Sequence, residues 1–185
     1  MLDHYNAYIG RLQSVLVPER ASEIERLALS LKDAWETKNK FSFVETVEVP
    51  EMQFISQMIL ITVSIKKNGM GLRVEALPAN AAVITCLAND EGYDTIFSQQ
   101  LEVKANKGDV LIVLSGSGNS PNVVKALEVG NKLEMITYAI LGFSGGKCKE
   151  LAKYPIHFPI NDMQISEDLQ VIVGHMCMQW LCGAK

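Results

Sequence analysis

Residues 108–126 constrain the fold of this chain more than any other stretch. A short, wholly apolar run from Val110 to Leu114 leads directly into the sequence SGSGNSP, and a helical pattern follows at once. An apolar run of this length between turn residues is typical of a buried parallel strand. Parallel strands are covered by helices on both faces, so the segment predicts an α/β protein.

The turn after this strand has the composition of an anion-binding site. Its glycines and serines are Ser115, Gly116, Ser117, Gly118 and Ser120. The glycines let the backbone approach a ligand or adopt a positive φ, and Asn119 or Ser120 can cap the helix that begins near Pro121. Free N–H groups at a helix N-terminus, beside several hydroxyls, suit a phosphate. An ordinary serine- and glycine-rich turn is the alternative. No GxxxxGK[ST] pattern accompanies the loop, which argues against a nucleotide-binding P-loop.

Composition argues against two classes of partner. The chain has 185 residues, which suits one domain over residues 1–185, and a net charge of −4. It has no basic run, so nothing points to nucleic acid. No apolar stretch reaches the roughly 18 residues of a membrane span, and the N-terminus MLDHYNAY is not a signal peptide. The four cysteines form no CxxC pair, as expected of reduced thiols in a cytoplasmic protein.

Two apolar stripes precede the first strand. The first consists of Leu2, Tyr5, Ile9, Leu12 and Leu16, and the second of Ile24, Leu27, Leu31 and Trp35. Spacings of three and four residues predict two amphipathic helices within residues 1–37. One small sheet cannot bury both, so we expect this helical pair to pack against partner subunits.

From Phe41 onward, strand and helix patterns alternate. The predicted strands are 41–44, 72–77, 109–114, 135–141 and 154–159. A long helix closes the chain from about Ser166 to Leu181. The pattern predicts a five-stranded parallel sheet between two helical layers, a flavodoxin-like three-layer sandwich, with ligands at the carboxyl ends of its strands.

Four motifs carry a resemblance to a known family. The segment SGSGNSPNVVKAL resembles the sugar-phosphate-binding loop of SIS (sugar isomerase) domains. The segments LANDEGYDTIFSQQLE at 87–102, GGKCKELA at 145–152 and VGHMCMQWL in the terminal helix are similar to the phosphoheptose isomerase branch. The resemblance covers about residues 70–182, and the motifs stand in the family's order and spacing.

The resemblance implies a cytoplasmic homotetramer that converts sedoheptulose 7-phosphate to D-glycero-D-manno-heptose 7-phosphate. That product supplies heptose for surface polysaccharide, lipopolysaccharide or capsule, and the resemblance implies zinc as cofactor. The isomerisation moves a proton between two adjacent carbons through an enediol. It needs a phosphate anchor, a base, and an acid or metal that stabilises the developing oxyanion.

The resemblance also assigns roles to residues on two of the motifs. The hydroxyls of Ser115, Ser117 and Ser120 match the phosphate anchor, together with the backbone of Gly116 and Asn119. Asn89 and Asp90 match a pair that contacts the substrate. Taken without the resemblance, the sequence Asn-Asp-Glu-Gly favours a solvated turn.

His175 is the candidate for proton transfer, and its imidazole can also bind a metal. Its apolar neighbours along the chain favour a core histidine instead, until the match of VGHMCMQ is considered. Glu167 stands where the family usually has a glutamine that binds substrate and metal, and Gln164 where an aspartate is usual. Glu167 precedes His175 by eight residues, a rise of about 12 Å in a regular helix. The two can share a ligand only if the helix start is bent or a neighbouring subunit completes the site.

Residues 45–64 depart from the family. After the first strand, relatives carry a second glycine-rich loop, GNGGSA, and then a helix with a histidine and, four residues on, an acidic residue. This chain has neither glycine nor histidine there. The alternative function is therefore a non-catalytic SIS module, resembling the DnaA initiator-associating protein, that acts through protein–protein contact.

Back-translation offers an explanation for this departure. One permitted set of codons for residues 45–55, regrouped one base earlier, reads GNGGSAGNAIH. The alanine and aspartate that arise from Met52 and Met58 are forced, because methionine has a single codon. The other positions are permitted by codon choice. We therefore hypothesise that about Ser42 to Ile65 is a frame-shifted reading of a normal gene, with true divergence as the alternative.

Overall fold

The computed structural model describes residues 1–45 and 71–183. The frame-shift hypothesis concerns a segment that lies almost entirely outside these residues. The described helices are α1 (Leu2–Val15), α2 (Ala21–Thr37), α3 (Ala81–Asp90), α4 (Ser98–Lys104), α5 (Pro121–Lys132), α6 (Gly146–Leu151) and α7 (Met163–Gly183). Short 3-10 turns occur at Pro18–Arg20, Leu77–Ala79 and Tyr93–Thr95. Of the helices described, none is both long and apolar enough to cross a membrane.

The described strands form one parallel sheet. They are β1 (Lys40–Glu45), β2 (Arg73–Ala76), β3 (Val110–Ser115), β4 (Ile136–Leu141) and β5 (Tyr154–His157). The order across the sheet is β2-β1-β3-β4-β5, and every neighbouring pair is parallel. β3 lies at the centre and is buried at all six positions, as its continuous apolar run predicts. The predicted fold class, a five-stranded parallel sheet flanked by helices, is confirmed.

Two hydrophobic cores lie on opposite faces of this sheet. One face is covered by α1, α2 and α7, through Leu27, Leu31, Ile165, Leu169 and Val173. The other is covered by α3 to α6, through Phe97, Leu101, Val123, Leu127 and Cys148. Alternate residues of β3 point to the two cores, because side chains along a strand alternate between its faces. The carboxyl end of β3 is therefore held from both sides.

The two N-terminal helices are buried to different extents. α2 buries Leu27, Ala28, Leu31 and Ala34 within the chain, whereas α1 buries only Val15. Leu2 and Tyr5 on α1 are 71% and 60% exposed. Polar contacts to α7 and to the residue before it hold α1 in place: the Tyr8 hydroxyl donates to Asp168 at 2.6 Å, and Arg11 pairs with Asp162 at 2.6 Å.

Several element ends differ from the predicted ones. α7 begins at Met163 rather than at about Ser166, because the Asp162 carboxylate accepts the Ile165 N–H at 3.1 Å and caps the first turn. β2 ends at Ala76, where a 3-10 turn containing Pro78 begins. β5 ends at His157, two residues before Pro159, which has no N–H to donate to a sheet.

Candidate functional site

The serine loop, residues 115–120, joins the central strand β3 to helix α5. Ser115 is buried, and its Oγ accepts the Gly118 N–H at 3.1 Å. The Ser117 Oγ accepts the Asn119 N–H at 3.3 Å. Because a serine hydroxyl can accept and donate at once, both O–H groups remain able to donate to an anion.

Ser120 occupies the N-cap position of α5. Its carbonyl accepts the Val124 N–H at 3.1 Å, but its hydroxyl makes no capping hydrogen bond. Ser120 borders a cleft of about 490 Å³ that is also lined by Tyr93, Asp94, Pro121 and Asn122, whereas Ser115 and Ser117 do not line it. In the part of the chain described, the backbone N–H groups of Ser117 and Ser120 have no acceptor. The loop therefore offers neutral hydroxyl and amide donors at a helix N-terminus, which is the environment that a phosphate requires.

A second loop, residues 142–147, which includes the first two residues of α6, packs directly against the serine loop. Gly118 has φ +67°, and a Cβ at this residue would lie 2.0 Å from the Gly145 carbonyl oxygen. The Gly118 carbonyl accepts the Cys148 N–H at 3.0 Å, and the Asn119 Oδ1 accepts the Lys147 N–H at 3.1 Å. The sequence motif GGKCKELA carried the family resemblance, but the sequence alone did not reveal this contact.

Asn89 and Asp90 are the last two residues of α3, and both are exposed. The interpretation of Asn-Asp-Glu-Gly as a solvated turn is therefore wrong for Asn89 and Asp90, which complete the helix, and the turn begins at Glu91. The Asn89 amide donates to the Asp90 Oδ1 at 2.7 Å. The Cys86 thiol donates to the other Asp90 oxygen at 3.5 Å, and this hydrogen bond together with the carboxylate charge raises the pKa of Cys86.

An ion pair joins the segment after α3 to the second turn of α5. The Lys125 ammonium hydrogen-bonds the Asp94 carboxylate, and this bond lowers the pKa of Asp94. Asp94 also borders the cleft beside Ser120. Sequence reasoning missed the pair, because the two residues are 31 positions apart and share no pattern.

His175 and Glu167 both lie on α7, but not at one site within a single chain. His175 is exposed, so the alternative of a core histidine is wrong. Glu167 is half-buried, and burial, followed by the charge of Asp168, raises its pKa. α7 is continuous from Met163 to Gly183, so eight residues of helix, a rise of about 12 Å, separate Glu167 from His175.

The described residues of one chain do not form a metal site. Within residues 1–45 and 71–183, no three histidine, cysteine, aspartate or glutamate side chains cluster closely enough to hold an ion. A zinc ion usually needs at least three protein ligands. His175 and Glu167 alone therefore do not fit a zinc ion within one chain.

The fold and the serine loop define the class of protein, and comparison with known families agrees. A doubly wound parallel sheet with a serine-rich loop after its central strand matches the arrangement that the SIS resemblance implies. The family model described as SIS domain matches residues 4–142. The chain belongs to the SIS domain family.

Relatives identify the branch of this family. A phosphoheptose isomerase from Akkermansia muciniphila is 32% identical over 157 residues, which cover 84% of this chain and 82% of the relative. Another, from Trichlorobacter lovleyi, is 41% identical over 106 residues, 57% of this chain and 54% of the relative. Within the SIS family, the chain belongs with the phosphoheptose isomerases.

Solved structures agree with the fold. A phosphoheptose isomerase from Francisella tularensis superposes with a TM-score of 0.84 at 22% identity and covers 98% of both chains. One from Neisseria gonorrhoeae gives a TM-score of 0.83 at 22% identity, covering 99% of this chain and 97% of that chain. The described architecture is thus that of solved phosphoheptose isomerases over nearly its whole length.

Proposed function

We propose that this protein is an isomerase that converts sedoheptulose 7-phosphate to D-glycero-D-manno-heptose 7-phosphate. The observation that carries the proposal is the serine loop. Its hydroxyl and amide donors lie at the N-terminus of α5, in a chain that is 32% identical to a phosphoheptose isomerase over 84% of its own length.

The serine loop would hold the phosphate at one end of the sugar. Ser115 and Ser117 donate from hydroxyls that are already oriented by the Gly118 and Asn119 amides, so little ordering is needed on binding. Anchoring one end of an extended sugar fixes the position of carbons 1 and 2, where the proton moves. Positioning of this kind contributes to the rate only if the acid and base are held equally well.

We propose that His175 of a neighbouring subunit transfers the proton. Within one chain, α7 separates His175 from Glu167 and carries His175 on an exposed surface. The same helix borders a largely apolar groove of about 470 Å³, whose lining includes Ala21, Ile24, Met176 and Trp180. Met176 and Trp180 are 44% and 38% exposed. An apolar surface next to the candidate catalytic residue supports a subunit interface at which the site is completed.

We propose a homotetramer on this basis, together with the unburied apolar side chains of α1. Light scattering coupled to gel filtration measures the mass directly. Trp180→Glu should reduce the assembly, and Lys132→Glu on the opposite helical layer should not. A monomeric wild-type protein at micromolar concentration would contradict the proposed assembly.

Zinc is proposed as cofactor because the resemblance implies it, with His175 and Glu167 from different subunits as two of the three or more protein ligands that a zinc ion usually needs. The ion would polarise a sugar oxygen and stabilise the enediol. Metal analysis of the purified protein, before and after His175→Ala, tests the assignment. The proposal predicts stoichiometric zinc in the wild-type protein and loss of zinc in the variant, whereas equal zinc in both would remove His175 as a ligand.

The proposed location is the cytoplasm, and the proposed role is heptose supply for lipopolysaccharide or capsule. Deletion of the gene should then remove heptose from the surface polysaccharide. Restoration of heptose by the wild-type gene, but not by His175→Ala, would link the phenotype to turnover.

The reaction itself is tested by incubating the protein with sedoheptulose 7-phosphate and following the aldose product by mass spectrometry and NMR. Unphosphorylated sedoheptulose serves as the control substrate. Ser117→Ala should lower turnover of the phosphate ester at least tenfold, since a charge-assisted hydrogen bond is worth about 1.5–3 kcal/mol. Ser14→Ala, on the exposed face of α1, is the matched control and should have no effect. Equal turnover by both variants would remove the phosphate anchor from the proposal.

A second candidate function remains, and a specific observation favours it. Residues 45–64 contain neither the glycines of a phosphate loop nor a histidine. A chain with these residues would bind sugar phosphate through the serine loop and act by protein–protein contact. Binding of sedoheptulose 7-phosphate without any product would select this function over the isomerase.

A further inference from the structure

His157 is a buried polar residue at the carboxyl end of β5, with 9% of its surface exposed. Its Nε2 lies 2.9 Å from the Phe143 carbonyl oxygen. Because a carbonyl only accepts, the Nε2–H donates this hydrogen bond. The serine-loop chemistry described above does not use this histidine.

The acceptor residue, Phe143, has an unusual backbone conformation. Its φ is +42°, in the left-handed region that aromatic residues rarely occupy. Both backbone polar groups of Phe143 make hydrogen bonds: the N–H to the segment that follows β5, and the carbonyl to a side chain of β5. The Phe143 N–H donates to the Ile160 carbonyl at 3.0 Å, and the Phe143 carbonyl accepts from His157. These two bonds fix the direction in which the 142–147 loop leaves β4.

The 142–147 loop then meets the serine loop at several points. The interloop hydrogen bonds are Gly142 N–H to Gly116 O at 3.0 Å and Lys147 N–H to Asn119 Oδ1 at 3.1 Å, and the next residue of α6 adds Cys148 N–H to Gly118 O at 3.0 Å. His157 also lies beside this region, since a Cβ added at Gly145 would be 3.3 Å from its Cδ2. The Gly145 carbonyl lies against Gly118, with no space for a Cβ between them. The loops can therefore hardly move independently.

We propose that His157 is a positioning residue for the phosphate anchor. It holds Phe143 in its left-handed conformation, and Phe143 holds the 142–147 loop against Gly118 and Asn119. The N–H groups of these two residues in turn orient the hydroxyls of Ser115 and Ser117. The inference rests on the proposed function, because it assigns the serine loop to a phosphate.

The test compares three variants by two measurements. His157→Phe keeps an aromatic ring and removes the donor, and His157→Gln keeps an N–H donor. Thr137→Val is the matched control, because Thr137 is fully buried and its hydroxyl donates to Asn131 and accepts the Lys153 N–H, at the opposite end of the sheet. Each variant is assayed for binding of inorganic phosphate by calorimetry and for amide hydrogen exchange in the serine loop.

We expect His157→Phe to weaken phosphate binding by about three- to tenfold, the effect of one lost hydrogen bond, and to speed exchange in residues 115–120. His157→Gln should keep most of the phosphate affinity and most of the slow amide exchange of the wild-type protein. Thr137→Val should lower the melting temperature without changing either. Unchanged serine-loop exchange in His157→Phe, or an equal effect of Thr137→Val, would overturn the inference.

The two measurements separate this inference from the proposed function. Faster serine-loop exchange in His157→Phe supports the positioning role even when the wild-type protein binds no phosphate. Faster exchange without phosphate binding would count against the assignment of the serine loop to a phosphate, and not against the positioning role of His157.

Discussion

Gly118→Ala should destabilise the protein far more than the addition of one methyl group suggests. The added methyl group would lie 2.0 Å from the Gly145 carbonyl oxygen, at a residue whose φ is +67°. Rotation of a side chain cannot remove this clash, because the Gly145 carbonyl belongs to the backbone. Either the serine loop or the 142–147 loop must move.

The magnitude follows from these two features. A non-glycine residue in the left-handed region costs about 1–2 kcal/mol, and loss of the Cys148 N–H to Gly118 O bond adds about 1 kcal/mol. The free energy of unfolding should therefore fall by about 2–3 kcal/mol, and the melting temperature by about 5–10 °C for a domain of this size. Phosphate binding should weaken as well, since the same shift displaces the hydroxyls of Ser115 and Ser117.

Gly10→Ala makes the same chemical change where nothing opposes it. No atom lies within 4 Å of a Cβ at Gly10, inside α1. Replacing a helical glycine by alanine should raise the free energy of unfolding by about 0.5–1 kcal/mol. Urea denaturation of both variants provides the comparison. A Gly118→Ala protein as stable as the wild type would show that the two loops are not packed as described.

Three further predictions concern charge and thiols. Lys125→Met should raise KM for the sugar phosphate severalfold with little change in melting temperature. The exchanged pair, Asp94→Lys with Lys125→Asp, should restore the KM of the wild-type protein. A large loss of stability in Lys125→Met would show instead that the ion pair is merely structural. Burial and the Asp168 charge raise the pKa of Glu167 in the folded state, so ionisation of Glu167 opposes folding. This destabilisation is absent below the pKa of the unfolded state and is complete above the pKa of the folded state. Glu167→Gln should therefore raise the melting temperature at pH 8 but not at pH 4, and an equal gain at both would remove this explanation. Ellman's reagent should label the two exposed thiols in the native protein and the two buried ones only after unfolding, since burial raises the pKa of the buried thiols to about 11 and about 12; rapid labelling of all four would contradict the packing. The exposed thiols are Cys86 and Cys182, and the buried thiols are Cys148 and Cys177.

The sequence predicted the centre of the sheet well because its signal is local. An uninterrupted apolar run can be satisfied only by burial on both faces, and β3 is buried at every position. The serine loop was predictable for the same reason, since glycines and serines at a strand–helix junction restrict what the backbone can do there.

Contacts between distant segments were not predictable. The Asp94–Lys125 pair, the His157–Phe143 hydrogen bond and the packing of Gly118 on Gly145 each join residues far apart in the chain. No periodicity connects such residues, so the support of the serine loop became visible only in the structure.

Helical geometry explains why the apolar surroundings of His175 were misleading. Val173 and Cys177 are buried, whereas His175 between them is exposed. Residues two apart on a helix point about 200° from each other around the axis. Apolar neighbours in sequence therefore say little about the side that a helical histidine faces. The cap at Asp162, by contrast, was a local signal that could have placed the start of α7 correctly.

The most direct measurement combines peptide sequencing across residues 41–70 with turnover of sedoheptulose 7-phosphate by the same sample. The chain as printed has a mass of 20.4 kDa, so intact mass provides an independent check. We predict turnover by protein whose peptides contain GNGGSAGNAIH, and binding without turnover by protein whose peptides contain ETVEVPEMQFI. Robust turnover by a sample that carries only the second peptide would contradict both the frame-shift hypothesis and the family's mechanism for this chain.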